Sequence, residues 1–167
     1  MIRSILFVCT GNTCRSPMAQ GMFKKILQEK DKEYYRYNIQ SAGISAIPGI
    51  KPTVEAVKVM LEHGIDISQY ESQPLEEDSI KRADLILVMT NEHKEYIKKK
   101  YPFAQNKVFL IKEFGQKKYS NSPQKNDKKY DIDDPIGRSI DFYRIIAKDL
   151  EINLKKIANI IIEKNNQ

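Results

Sequence analysis

The chain has 167 residues, two cysteines, no tryptophan, and 28 Lys and Arg against 22 Asp and Glu, a formal charge of +6. Its length suits a single domain spanning 1–167 with a sizeable core, two cysteines exclude a disulfide scaffold and a zinc cluster, and no apolar run reaches membrane-spanning length. The positive charges are spread along the chain or gathered in one loop, with no RNA-binding aromatic signature, helix-turn-helix or finger pattern beside them, so they predict a solvated basic surface and no nucleic-acid partner.

The first predicted element is a strand. Ile2, Ile5, Leu6, Phe7 and Val8 make a short apolar run rich in branched and aromatic residues, as a strand buried on both faces requires. Only Met1 to Val8 precede the next feature, too little for a signal peptide, and the protein is expected in the cytoplasm. A loop follows, Cys9-Thr10-Gly11-Asn12-Thr13-Cys14-Arg15-Ser16-Pro17. Ser16 and Pro17 fit an N-cap and a first helical position, where the missing N–H costs nothing. Ala19, Met22, Phe23, Ile26 and Leu27 then recur at helical spacing.

Tyr37 to Ala42 reads as a second strand, ending in the turn Ser41-Ala42-Gly43. A helix opened by Pro52 runs to about His63, with Val54, Val57 and Leu61 facing inward and Gly64 as its stop. Ala83 to Met89 is the third strand, Asn91 to about Lys100 the next helix, and Val108 to Ile111 the fourth strand. The stretch from Gln116 to Lys129, with Lys117, Lys118, Lys125, Lys128 and Lys129, reads as a surface loop, either a solvated face or an attractor of an acidic substrate protein. From Arg138 a long helix sets Tyr143, Ile146, Ala147, Leu150, Leu154, Ile157 and Ile161 on one stripe. Strands alternating with helices predict an α/β fold: a three-layer sandwich in which a four-stranded parallel sheet carries helices on both faces, with the site at the strands' carboxyl ends.

A strand, a tight loop and a helix start aim unpaired N–H groups and the positive end of a helix dipole at one point, which favours an anion. Arg15, six residues after Cys9, can grip two phosphate oxygens in a planar fork. The same field favours a thiolate. Lowering the Cys9 pKa from about 8.5 to about 5 would ionise nearly all of it at neutral pH, a differential stabilisation of roughly 5 kcal/mol. Gly11 and Asn12 permit the sharp backbone turns such a loop needs.

The pattern Cys9, any residue, Gly11, Asn12, any residue, Cys14, Arg15, Ser16 resembles the signature loop of the low-molecular-weight protein tyrosine phosphatase family. The likeness extends to the Ser-Ala-Gly turn at 41–43, the Pro-opened helix ending near His63-Gly64, and the strand Ala83-Asp84-Leu85 leading to Met89 and His93. It implies a phosphoprotein phosphatase with Cys9 as nucleophile and Arg15 as phosphate ligand. Thr10, Gly11, Asn12, Thr13, Cys14 and Ser16 would shape the substrate site. Cys14 either pairs with Cys9 in a protective disulfide or packs beneath the loop. Nothing in the sequence brings His63 or His93 to the loop, and both are expected to be structural.

Attack by Cys9 expels a leaving group that must be protonated, and the phosphocysteine must then be hydrolysed by an activated water, so one carboxyl group has to switch roles. Asp131, Asp133 and Asp134 lie together before Pro135 and Gly137, in a segment that those residues stiffen into turns. In the family the general acid directly precedes a proline, which selects Asp134, with Asp133 as second choice.

Thr13 stands where tyrosine-directed members carry a bulky aliphatic residue, and it resembles the threonine of the bacterial protein arginine phosphatase branch. A hydroxyl there and the carboxylate of Asp134 suit a polar, planar guanidinium, so phosphoarginine is expected ahead of phosphotyrosine. Ile136 departs from the aromatic residue usual after the Asp-Pro pair, which weakens a phenol slot and leaves the arginine reading open too. An arsenate reductase on this scaffold would need further cysteines, and none follows Cys14. A noncatalytic phosphate-binding module could dispense with Cys9 or the acid, and both are present. The expected partner is a phosphorylated protein substrate, with no nucleic acid, no membrane, no metal and no cofactor, and the chain is expected to act as a monomer.

Overall fold

The computed structural model describes residues 1–116 and 128–167. Four strands, β1 (Ser4–Cys9), β2 (Asn38–Gly43), β3 (Leu85–Val88) and β4 (Val108–Leu110), make one parallel sheet in the order β2-β1-β3-β4. The helices are α1 (Arg15–Lys30), α2 (Val54–Glu62), α3 (Glu77–Arg82), α4 (Asn91–Lys100), α5 (Ile111–Gly115) and α6 (Ile140–Asn165).

β1 is central, so both of its faces must be apolar. Ile5, Phe7 and Cys9 point into a cluster built with Phe23 of α1 and Leu154 of α6, while Leu6 and Val8 point into one built with Ile80 of α3 and Ile97 of α4. Each such side chain, fully buried, contributes about 1.5–3 kcal/mol. Phe7 and Phe23 meet edge-on with ring centroids 5.6 Å apart. The seven-residue stripe predicted for the last helix is buried along α6 as expected. Asn165 near its end is clasped to the start of the chain, accepting from Ile2 N and donating to Ile2 O at 2.7 and 2.8 Å.

Several boundaries differ from the sequence expectation. α2 is capped by Thr53, whose hydroxyl accepts from Ala56 N, and it buries Ala56, Val59 and Met60, whereas Val54 and Leu61 are exposed. Apolar residues lie on nearly all sides of that helix, so the spacing did not select one face. α3 and α5 have six and five residues, too short for a readable period. Ile111 opens α5 and does not extend β4. The last helix starts at Ile140 with Ser139 as its cap, two residues after the expected Arg138. Lys117, Lys118 and Lys125 of the lysine-rich stretch lie outside the described residues. Among the described residues, no helix is long and apolar enough to cross a membrane.

The strand order reverses direction at β1, which has β2 on one side and β3 on the other. The carboxyl ends of β1 and β3 therefore open on a crevice that no crossover helix covers. Cys9 is the last residue of β1.

Candidate active site

Between β1 and α1 the chain turns sharply at Asn12, whose φ of 57° lies in the left-handed region. Its side chain holds that turn. The Asn12 amide donates to Ser16 Oγ (2.7 Å) and Ser41 Oγ (2.9 Å), and its Oδ1 accepts from Gln73 N at 3.0 Å. The carbonyls of Cys9, Thr10 and Thr13 accept from Ile44, Ser45 and Thr53 N–H groups. With those carbonyls engaged outside, the loop presents donors inward. Gly43 lets β2 pass this close: a Cβ there would stand 2.5 Å from the Thr10 carbonyl oxygen.

The start of α1 corrects the sequence expectation. The helix begins at Arg15 with Cys14 in the cap position, so Ser16 is not the cap. Its hydroxyl lies 2.9 Å from Cys9 Sγ, and Asn12 N donates to the same sulfur at 3.2 Å. Cys14 packs beneath the loop, with its sulfur 3.5 Å from Thr53 Oγ1 and 3.4 Å from Tyr143 Oη. Both cysteines are free thiols.

Arg15 is buried, donates to the Ile132 carbonyl at 2.8 Å, and has its other terminal nitrogen 3.5 Å from Asp134 Oδ2. Asp134 Oδ1 accepts from Ile136 N, and its side chain is 45% exposed, free to meet a substrate. A pocket of about 250 Å³ is lined by Cys9, Thr10, Gly11, Thr13, Cys14, Arg15 and Asp134, with Ile136 at its edge. Asn12 and Ser16 do not line it; they bond the sulfur, Asn12 through its N–H and Ser16 through its hydroxyl. Asp133 is absent from the lining.

Burial pushes the Cys9 thiol up from its ordinary value. The Ser16 hydroxyl, the Arg15 charge and the N–H groups of Ser16 and Asn12 pull it down, and burial prevails. This reverses the expected shift, because the sulfur that the donors reach is also sealed from water at 3% exposure.

His93, which nothing in the sequence brings to the loop, reaches it in the structure. Its Nε2 lies 2.9 Å from Thr10 Oγ1, while Thr90 N donates to its Nδ1 at 3.3 Å. A ring that accepts at Nδ1 carries its proton on Nε2, so it donates to Thr10. Burial, reinforced by Arg15 and opposed by Asp134, pulls the His93 pKa down to about 4. The ring is neutral at neutral pH. His63 lies elsewhere, 3.5 Å from Glu151. Beside the first pocket, a wider recess of about 650 Å³ shares Thr10, Arg15 and Asp134 and adds His93, Asp131 and Asp133. Among the described residues, no group of three His, Cys, Asp or Glu side chains is placed to hold a metal ion.

His93, Ser41 and Gln73 are the members of this site that sequence reasoning did not assign to it. The Ser-Ala-Gly turn pointed at Ser41; nothing local marked the other two.

Residues 4–167 match the family of the low molecular weight phosphotyrosine protein phosphatase. The chain is 39% identical to a protein-arginine-phosphatase of Bacillus subtilis, with 92% of this chain and 93% of that one covered. It is 40% identical to a probable low molecular weight protein-tyrosine-phosphatase, EpsP, of Ralstonia solanacearum, over 84% of this chain and 83% of the other. Among solved structures, a cysteine-to-serine mutant of the YwlE arginine phosphatase with a phosphorylated active-site serine superposes with a TM-score of 0.83 at 36% identity, covering 95% of each chain.

Proposed function

The chain belongs to the low-molecular-weight phosphotyrosine protein phosphatase family and is a cysteine-dependent phosphatase; on that premise we propose that it removes phosphate from phosphoarginine in proteins. The observation that carries this reading is the pocket in which Cys9, Arg15, Asp134 and Thr13 meet.

Arg15 and the loop amides hold the phosphoryl oxygens. Cys9 Sγ attacks phosphorus, and as the S–P bond forms the bond to the arginine nitrogen breaks. Asp134 gives its proton to that nitrogen, so the arginine leaves with its guanidinium restored and not as a nitrogen anion. The thiol proton passes to the dianionic phosphoryl group. In the second step Asp134 takes a proton from water, the oxygen attacks phosphorus, and the S–P bond breaks to release phosphate and Cys9. Ser16 stabilises the sulfur each time it carries charge. Asp134 fits the acid role better than Asp133 because only Asp134 lines the pocket that contains the sulfur.

Thr13 supports the guanidinium over the phenol. Its side chain is short and polar where it meets the substrate, and a phosphoguanidinium edge can hydrogen-bond with it, whereas a phenyl face cannot. The likeness to the Bacillus subtilis protein-arginine-phosphatase supports the same reading. Phosphotyrosine is the second reading, favoured by the likeness to the probable low molecular weight protein-tyrosine-phosphatase EpsP of Ralstonia solanacearum, although Ile136 at the pocket edge offers a phenol ring no flat stacking wall. The protein is assigned to the cytoplasm, acting as a monomer on phosphorylated proteins.

The deciding experiment compares kcat/KM on phosphoarginine and phosphotyrosine peptides of one sequence, with Cys9→Ser as control. A higher value for phosphoarginine is expected. A higher value for phosphotyrosine overturns the substrate assignment, and absence of turnover on both removes the catalytic one.

A further inference from the structure

The first turn of α4 touches both halves of the site. On one side His93 Nε2–H reaches Thr10 Oγ1 at 2.9 Å, directly beside the nucleophile. On the other, Asn91 N donates to Asp131 Oδ1 at 2.8 Å, and Ile132 N donates to the carbonyl of Met89 at 2.8 Å, just ahead of that turn. Asp131 and Ile132 begin the segment that ends in Asp134.

The geometry points to this turn as a bracket that sets the general acid in register with the nucleophile loop, with His93 and Asp131 as positioning residues. The inference rests on the reading of Asp134 as general acid. Each contact is fixed by helix chemistry. Asn91 is the first residue of α4, so its N–H has no partner within the helix, and a carboxylate is the favoured acceptor at that positive end. His93 is held in turn by Thr90: the Thr90 hydroxyl accepts from His93 N, and Thr90 N donates to the ring. The ring therefore cannot rotate away from Thr10 without breaking the cap of α4. Thr10, His93, Asp131 and Asp134 all border the same 650 Å³ recess, so the bracket lies along one wall of the site.

Asp131 thereby gives a role to a second of the three neighbouring aspartates: Asp134 is the acid and Asp131 its anchor. Arg15, bonded to the Ile132 carbonyl, gives a second tie between the two loops. Loss of the bracket alone therefore loosens the acid without freeing it.

The test cuts the bracket at each end in the full-length protein, with Asp131→Ala and His93→Ala, neither of which lines the pocket that holds the sulfur. Both are assayed on p-nitrophenyl phosphate and phenyl phosphate. Phenol is the poorer leaving group and depends more on a well-placed acid. A displaced acid costs roughly tenfold on phenyl phosphate and about twofold or less on p-nitrophenyl phosphate, whereas damage to the phosphate loop lowers both alike. Asp131→Asn, whose amide oxygen still accepts from Asn91, recovers most of the loss. The double variant loses no more than the worse single one, because the two contacts act in series. Equal losses on both substrates, or losses that multiply in the double variant, overturn the bracket while leaving the phosphatase reading intact. If Asp134→Asn itself spares phenyl phosphate, the acid assignment fails and the bracket goes with it.

Discussion

The hydroxyl of Ser16 lies 2.9 Å from the sulfur of Cys9, although the helix geometry that the sequence suggests would have spent that hydroxyl on capping α1. The contact couples the second residue of the helix to the last residue of the strand. It places a donor where charge develops on sulfur, above all when the S–P bond breaks. Removing one preorganised donor of this kind costs about 10²–10³ in rate in a strongly charged transition state. Asn12 N still reaches the sulfur, so Ser16→Ala is expected to fall at the lower end, a loss of about 10²-fold or somewhat less in kcat. Phosphoenzyme should accumulate in rapid-quench experiments, because sulfur is the leaving group of the second step. A drop confined to formation of the phosphoenzyme would place the hydroxyl's role elsewhere.

Burial raises the Cys9 thiol against its three donors, so its reactivity toward iodoacetamide should climb as pH rises from neutral into the alkaline range. Ser16→Ala, by deleting the largest of the opposing influences, should move that climb to still higher pH. A rate of alkylation that is flat from about pH 5 to about pH 8 would mean that the helix and loop field overcome burial.

His93 contributes a second pH dependence, of stability. Its folded pKa of about 4 lies below the unfolded value near 6.5. The unfolded chain therefore takes up a proton first as pH falls, so the stabilisation is present above about pH 6.5 and lost progressively toward about pH 4. The difference corresponds to roughly 3 kcal/mol. Urea melts across that window should show the decline in the native protein and a shallower one in His93→Gln. Parallel curves would show that some other group titrates.

The site was legible where its chemistry is local. The Cys9 to Ser16 loop, the four strands and α6 follow from short apolar runs, glycine and asparagine at forced turns, and one long helical stripe. Contacts between segments distant in the chain were not legible. His93 reaches Thr10 from 83 residues away and Gln73 reaches Asn12 from 61, and neither spacing carries a local pattern. The sign of the Cys9 shift was missed for a related reason: the loop sequence shows the donors but not the packing that removes water. The misplacing of Val54 and Leu61 came from composition, since apolar residues lie on nearly every side of α2; Val57 packs against the core as expected, but beside Ala56, Val59 and Met60, which the spacing did not single out.

Thr13 is the residue on which the substrate assignment turns. Its side chain lines the 250 Å³ pocket, and its carbonyl is fixed by Thr53 N at 3.0 Å, so a substitution changes the wall without moving the loop. Isoleucine at this position is larger and lacks the hydroxyl. For phosphoarginine it removes a hydrogen-bonding partner from a polar leaving group, a loss of about 1–3 kcal/mol when the group is left unsatisfied. For phosphotyrosine it adds apolar surface against a ring. Thr13→Ile should therefore shift the ratio of kcat/KM for phosphoarginine over phosphotyrosine peptides downward by roughly tenfold or more, with Cys9 alkylation kinetics unchanged as the sign that the loop is intact. A ratio that does not move would mean that Thr13 takes no part in discrimination, and the choice of substrate would then have to be sought at Ile136 and the wider recess.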